Sequence, residues 1–251
     1  MQRLLLMVDG LHGKKNRNIM TKTVAIILAR GGSKGILNKN IMKFCGKPLL
    51  VWSIEHAKKT KRISSVWVSS DSEKILKIAK KAGANIIKRP KNLAKDTSTS
   101  VSGWIHIINE IQKKENEIDV VVALQATSPV RESSDIENGL IKFHKLKYDS
   151  MFSGSLIGDF FIWEKNKRND LKSINSDYHK RPRRQNFKEQ YVENGSFYIF
   201  TPKNIKKYNN QLGGKIGIAT MEFWKSFEID SIENVEFCEI IMNHYLLKKK
   251  P

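Results

Sequence analysis

"VAIILARGGSKGILNKN", Val24 to Asn40, is the stretch on which the reading of this chain turns. Val24–Leu28 is a short apolar run, β-branched in part, of the kind that forms a core strand. It breaks at Ala29 into Arg30, Gly31, Gly32, Ser33, Lys34 and Gly35. Glycine lets a backbone turn sharply and approach a ligand closely. Consecutive N–H groups in such a turn make a concavity for an anion, and neighbouring cations deepen its positive potential. A basic surface turn has the same composition, so the loop alone leaves both readings open. Neither G-x-x-x-x-G-K-[ST] nor G-x-G-x-x-G occurs here, which rules out a P-loop and a dinucleotide fingerprint at this position.

Working outward, apolar runs alternate with helix-period segments. This predicts an α/β fold: a doubly wound, mostly parallel sheet flanked by helices. A helix is expected over Leu49–Lys59, entered through Pro48, and a strand over Ser65–Ser70. The next helix starts at Asp71 or Ser72 as N-cap and stops at Gly83. "ANIIK" is a strand, "STSVSGWIHIINEIQKK" an amphipathic helix, and "DVVVAL" (Asp119–Leu124) the central strand. The loop "QATSPVRESSD" leads into a helix to about Lys147. From Ser150 to about residue 192 no helical period is sustained, and turns, aromatics and cations dominate; this is read as a protruding arm. "GSFYIF" and "KIGIATMEF" return as strands, and "IENVEFCEIIMNHYLL" closes as a helix. Ligands of open α/β sheets bind beyond the carboxyl ends of strands. Those ends here are "ARGGSKG", "SSD", "KRP" and "LQATSPVR", four polar loops converging on one edge.

With 251 residues the chain is long enough for one large domain, expected over 20–247 with the arm included. It carries 45 Lys+Arg against 25 Asp+Glu, a net charge of +20. That surplus suits either a nucleic-acid binder or a solvated lysine surface around an anionic small substrate. The lysines run through "HAKKTKR", "KILKIAKKAG" and "LLKKK", a spread that favours general surface charge. The two cysteines, Cys45 and Cys238, are far apart in sequence and indicate neither a disulfide framework nor a cysteine zinc site; they suit a reducing cytosol. No apolar run is long enough to span a membrane. The first 19 residues include Asp9 within their apolar patch and read as a disordered tail, with Met20 a candidate start.

At "LARGGSKGILNKN", "KRPKNLAKDTSTSVSG", "LQATSPVR", "KRPRRQ", "YVENGSFYIF", "LGGKI" and "FEIDSIE" the chain resembles the CMP-sialic acid synthetases, the N-acylneuraminate cytidylyltransferases, from Val24 to about Met242. The resemblance implies a nucleotide-sugar-transferase-like sheet and an enzyme that joins CTP to an acidic nine-carbon sugar, releasing pyrophosphate with Mg²⁺ as cofactor. Related activation of legionaminic or pseudaminic acid is the enzymatic alternative. By motif position Arg30, Ser33, Lys34 and Lys39 hold the triphosphate, Leu28, Ala29 and Asn40 frame the nucleotide, and Arg89 adds a cation. Arg30, Lys39 and Asp230 carry the catalysis. Gln125 meets the sugar, with Ser128 and Arg131 in the same loop and Pro129 shaping it.

The resemblance assigns Mg²⁺ to Asp230 and Glu228. Alternation along an extended "EID" puts both carboxylates on one face, with Ile229 packed inward, and hard cations take such oxygen ligands. Asp is common at the first position in the family, so Glu228 is a departure. The arm implies a homodimer in which each arm is exchanged into the neighbour's site. Arg184 of "RRQ" then pairs with the sugar carboxylate, while Val192 stands where some bacterial relatives have an arginine. Phe160, Phe161 and Trp163 are read as dimer packing.

A non-enzymatic reading, a basic nucleic-acid-binding protein, draws on "KRPRRQ", which also resembles a nuclear targeting patch in a eukaryote. No helix-turn-helix, zinc or RNA-binding signature accompanies it. The expectation is therefore a cytoplasmic enzyme with neither nucleic acid nor membrane as partner.

Overall fold

The central strand β1 (Thr23–Leu28) has almost no solvent exposure along its length. A continuous apolar run is what a parallel strand covered on both faces requires. In the computed structural model, which describes residues 21–32, 35–115, 117–158, 160–180, 183–186 and 188–248, the chain then forms a short hairpin, β2 (Lys43–Phe44) and β3 (Lys47–Pro48), and α1 (Leu49–Lys59). There follow β4 (Ser65–Ser70), α2 (Glu73–Lys81), β5 (Asn85–Lys88), α3 (Ser100–Glu115), β6 (Val120–Gln125) and α4 (Ser133–Lys145). The second half contains β7 (Ser150–Leu156), β8 (Trp163–Lys165), β9 (Leu171–Ser173), β10 (Tyr191–Phe200), α5 (Pro202–Tyr208), β11 (Ile216–Thr220) and α6 (Ile232–Ile241), which runs into a π turn over Met242–Leu247.

Seven strands make one sheet in the order β11-β7-β10-β6-β1-β4-β5. β10 runs antiparallel to both neighbours, and the remaining pairs are parallel. Alternation along β1 sorts the core into two layers. Val24 and Ile26 pack with Trp104, Ile107 and Ile108 of α3 and Ile205 of α5. Ala25 and Ile27 face the other way, onto Leu50 and Ile54 of α1, Ile75 of α2 and Leu140 of α4. The expected doubly wound, mostly parallel α/β fold is the one observed. A third cluster ties Phe44 of β2, Leu49 and Trp52 to Ile229 and to Cys238 and Ile241 of α6. It clips the segment before α6 beneath the loop that follows β1. Among the described residues no helix is long and apolar enough to cross a membrane.

Two local expectations change. Ser72 is the N-cap of α2, but its side chain makes no capping bond; Asp71 instead accepts the Gly31 N–H at 2.9 Å. The span 150–192 is not all arm. Its first seven residues are β7, paired with β10 and β11 inside the sheet, and Tyr191 and Val192 already belong to β10. "SMFSGSL" lacks an apolar period because Ser150, Ser153 and Ser155 are themselves fully buried, with hydroxyls bonded to Gly213 O, Asn194 Oδ1 and Glu222 O. What stands outside the sheet is the stretch between, including the β8–β9 hairpin. There Phe160 stacks on Phe223 with ring centroids 5.8 Å apart, and Trp163 meets Tyr178. Leu171 and Ile174 are exposed. Residues 1–19 lie outside the described residues.

Candidate active site

The parallel strands β1, β4, β5 and β6 end on one edge, and the loops leaving β1, β5 and β6, with the segment before α6, line a cavity of about 480 Å³. Leu28, Arg30, Lys39, Asn40, Arg89 and Asp230 line it together. Six residues expected at a nucleotide site from four separated stretches of sequence are thus brought around one space. Ala29 is fully buried behind them, its N–H bonded to Ser69 O. Ser33 and Lys34 lie outside the described residues.

Local chemistry fixes these side chains. Arg30 Nη1 is 2.5 Å from Asp96 Oδ1, and the Arg30 carbonyl accepts from Asn40 Nδ2 at 3.0 Å. Asn38, in the left-handed region at φ 57°, opens the turn that carries Lys39 and Asn40. Lys39 Nζ donates to Ile229 O at 2.9 Å and to Asp230 Oδ1 at 2.8 Å. Gly35 allows this crossing: a Cβ there would stand 2.8 Å from the Asp230 carbonyl oxygen. Arg89 is buried, and its Nε has no hydrogen-bond partner. Desolvation lowers the pKa of its guanidinium; Asp71 opposes that shift and Arg30 adds to it. Cations brought together in a concave, part-desolvated space attract polyanions.

Glu228 and Asp230 share a face, with Ile229 fully buried between them, as alternation requires. Burial holds the Glu228 carboxyl above its ordinary range; the neighbouring Asp230 raises it further, while Lys39 opposes. Two carboxyls pushed together in this way are a fitting pair of oxygen donors for a divalent cation. Their segment is held from beneath by Lys225. This side chain is 1% exposed and reaches Glu132 at 3.0 Å, Asp135 at 2.8 Å and Glu222 at 2.9 Å.

Gln125 does not line this cavity and stands at the end of β6. The neighbouring strand β10 shifts register between Glu193 and Tyr198, and Gly195 there has φ +64°. A methyl on Gly195 would lie 3.2 Å from Gln125 Nε2 and 3.7 Å from Glu228 Oε2. The glycine therefore leaves room beside Gln125 and Glu228 that a side chain would fill, a candidate second half-site. Tyr198 is buried, its hydroxyl donating to Glu193. Ser128 is buried with its Oγ unpartnered. Arg131 is fully buried and bonds Ser196, Ser53 and the Gln125 carbonyl. Arg184 begins a short turn, but its side chain lies outside what the structure describes.

Sequence reasoning gave no place in the site to Asp71, which it read only as a candidate helix cap, or to Asp96 and Thr127. Thr127 lines the cavity, its carbonyl accepting from Ile229 N at 2.8 Å. Asp96 sits inside the quoted "KDTSTS", where a carboxylate among hydroxyls was the available signal.

Comparisons with known proteins bear on this geometry. Residues 24–250 match the family model described as cytidylyltransferase. An N-acylneuraminate cytidylyltransferase of Oncorhynchus mykiss is 37% identical over 209 residues, which is 82% of this chain and 47% of the fish protein. The chain thus spans about half the length of that relative. A pseudaminic acid cytidylyltransferase of Campylobacter jejuni is 30% identical over 231 residues, 89% of this chain and 98% of that protein. Among solved structures, a CMP:2-keto-3-deoxy-manno-octonic acid synthetase complexed with CTP superposes with a TM-score of 0.68 at 16% identity, covering 90% of this chain and 100% of its own. That likeness is one of fold.

Proposed function

Because this chain belongs to the cytidylyltransferase family, we propose that it joins CTP to an N-acylneuraminate, giving the CMP-sugar and pyrophosphate. The observation that carries the reading is the convergence of Arg30, Lys39, Arg89 and Asp230 on one cavity beside the Gln125 half-site. The anomeric hydroxyl oxygen of the sugar attacks the α-phosphorus and gives up its proton to water, the bond from that phosphorus to the bridging oxygen breaks, and pyrophosphate leaves. Such a step is accelerated chiefly by alignment and by neutralising phosphoryl charge. Arg30 and Lys39, with Ser33 and Lys34, hold the triphosphate, and Arg89 adds a desolvated positive charge. Leu28, Ala29 and Asn40 frame the nucleotide. Gln125 and Arg184 bind the sugar.

Asp230 and Glu228 are the residues that would hold Mg²⁺. Among the described residues no cluster of three or more His, Cys, Asp or Glu offers a metal cage. That suits Mg²⁺, which keeps waters and substrate phosphates beside one or two carboxylates. When bound, the ion supplies charge neutralisation at the phosphates. Lys39 bridges Asp230 at 2.8 Å.

A homodimer with exchanged arms is part of the same proposal, supported by exposed Leu171, Ile174 and Tyr178 on a segment outside the sheet. The proposed reaction is cytoplasmic, a reading supported by two free cysteines. The second reading, the same transfer to pseudaminic or legionaminic acid, is favoured by the near full-length match to the Campylobacter protein. Pyrophosphate release from CTP, measured with N-acetylneuraminic, legionaminic and pseudaminic acids in turn, tests both. Release with N-acetylneuraminic acid supports the first and release with another sugar alone supports the second. No release with any of the three defeats the enzymatic reading.

A further inference from the structure

Arg131, in the loop between β6 and α4, has no solvent exposure, yet its hydrogen-bond partners are all neutral. Nη1 donates to Ser196 O at 2.6 Å and to Ser196 Oγ at 2.9 Å. Nη2 donates to Gln125 O at 3.0 Å and to Ser53 Oγ. The Ser53 hydroxyl in turn donates to the same Gln125 carbonyl at 3.2 Å. Among the described residues it makes no ion pair, Asp135 acting on it only electrostatically, and its Nε has no hydrogen-bond partner; a buried charge so placed is costly, so this guanidinium is a poor choice for stability alone. An apolar side chain of similar volume would fill the space more cheaply.

What the guanidinium does is geometric. Its planar fork presents donors in fixed directions, which an ammonium on a flexible stem does not. One arm of the fork grips the strand residue from which the Gln125 side chain springs. The other grips the residue after Gly195, whose positive φ opens the space between Gln125 and Glu228. Ser53 ties the same node to α1, and so to the helical layer behind the sheet. Three elements, β6, β10 and α1, are thus set relative to one another by one fully buried side chain.

We propose that Arg131 is the positioning residue of the sugar half of the site: it fixes Gln125 and the Gly195 bulge in one register for an acidic sugar, without contacting either substrate. This rests on the reaction proposed above. A merely structural arginine would weaken both substrates together or neither. A positioning residue here splits them, because the nucleotide cradle hangs from β1 and the Lys39 turn, which Arg131 does not touch.

The test uses Arg131→Lys, which keeps the charge and loses the fork, and the Ser53→Ala/Ser196→Ala double variant, which keeps the arginine and removes both hydroxyl partners. Either should raise KM for the acidic sugar about tenfold, the size expected from losing buried hydrogen bonds. KM for CTP should stay within about twofold. Amide hydrogen exchange read by mass spectrometry should rise at 125–128 and 194–197 and stay unchanged at 24–31. If Arg131→Lys does not fold, the serine double variant decides alone. Equal shifts in both KM values, or unchanged exchange at 125–128 and 194–197, overturns the inference. Should the wild-type chain turn over none of the tested sugars with CTP, the reaction reading falls, and the exchange arm by itself decides the role of Arg131.

Discussion

Replacing Lys225 with Met removes the cation from a cluster of three carboxylates while leaving a side chain of similar length in place. Glu132 and Glu222 are 50% and 58% exposed, so losing either pairing costs about 0–1 kcal/mol. Asp135 is different: its side chain is 9% exposed, and it also accepts the Glu132 N–H at 2.7 Å to cap α4. Breaking a buried pair from one side costs about 3–5 kcal/mol, because the other charge stays behind, and that figure is the expected loss at pH 8 in urea unfolding. The sign with pH follows from Asp135. Burial already raises its pKa, with Lys225 opposing, and removing Lys225 lifts it further. A carboxyl raised in the fold destabilises once ionised, so the deficit of Lys225→Met should shrink as pH falls from 8 to 5 and Asp135 takes up a proton. Adding Asp135→Asn, which keeps an acceptor for the Glu132 N–H, should restore most of the stability at pH 8. A loss below about 1 kcal/mol, or one equal at pH 5 and pH 8 and unrelieved by Asp135→Asn, would refute the reasoning.

Asp230→Asn should lower kcat by a factor on the order of 10² with the fold intact, Glu228→Gln should lower it less, and Glu228→Asp should keep substantial activity; raised Mg²⁺ should recover part of either loss, and a wild-type rate in Asp230→Asn would remove that residue from the mechanism. Arg184→Ala should raise KM for the sugar far more than KM for CTP, and mixing it with an Arg30→Ala subunit should restore partial activity if arms are exchanged, which steady-state kinetics on co-purified heterodimers would read. Burial, and Glu239 beside it, push the Cys45 thiol up to about 11, and burial, then Cys45, push Cys238 up to about 12; both stay protonated at pH 8, so iodoacetamide should label them far more slowly than free cysteine, and rapid labelling by mass would contradict this.

Where local pattern and burial agree, the fold was legible. Val24–Leu28 and Val120–Leu124 are continuous apolar runs, and both faces of these parallel strands are covered. β7 escaped because three of its buried positions are serines, satisfied by partners dozens of residues away. Arg30, Lys39, Arg89 and Asp230 were legible through the motifs that hold them, and the cavity gathers all four. Asp71 and Asp96 were not, since a carboxylate that steadies a loop or an arginine looks in sequence like any solvated acid. Arg131 was visible as a residue but not as a hub. Its partners Ser53 and Ser196 lie 78 and 65 positions away, a relation that only tertiary packing creates.

Two of the cavity's cations are engaged by carboxylates: Arg30 is bridged to Asp96 and Lys39 to Asp230. Each bridge spans two loops, so the walls are stapled by charges of opposite sign. Entry of a polyanion is then an exchange of counter-charges rather than the capture of an ion by bare cations. On the proposed reading, part of the attraction is spent on releasing carboxylates, and an Asp230 so released is free to take the divalent ion. Nucleotide and metal should therefore each ease the other's binding, and the salt dependence of nucleotide affinity should be shallower than a chain of charge +20 suggests.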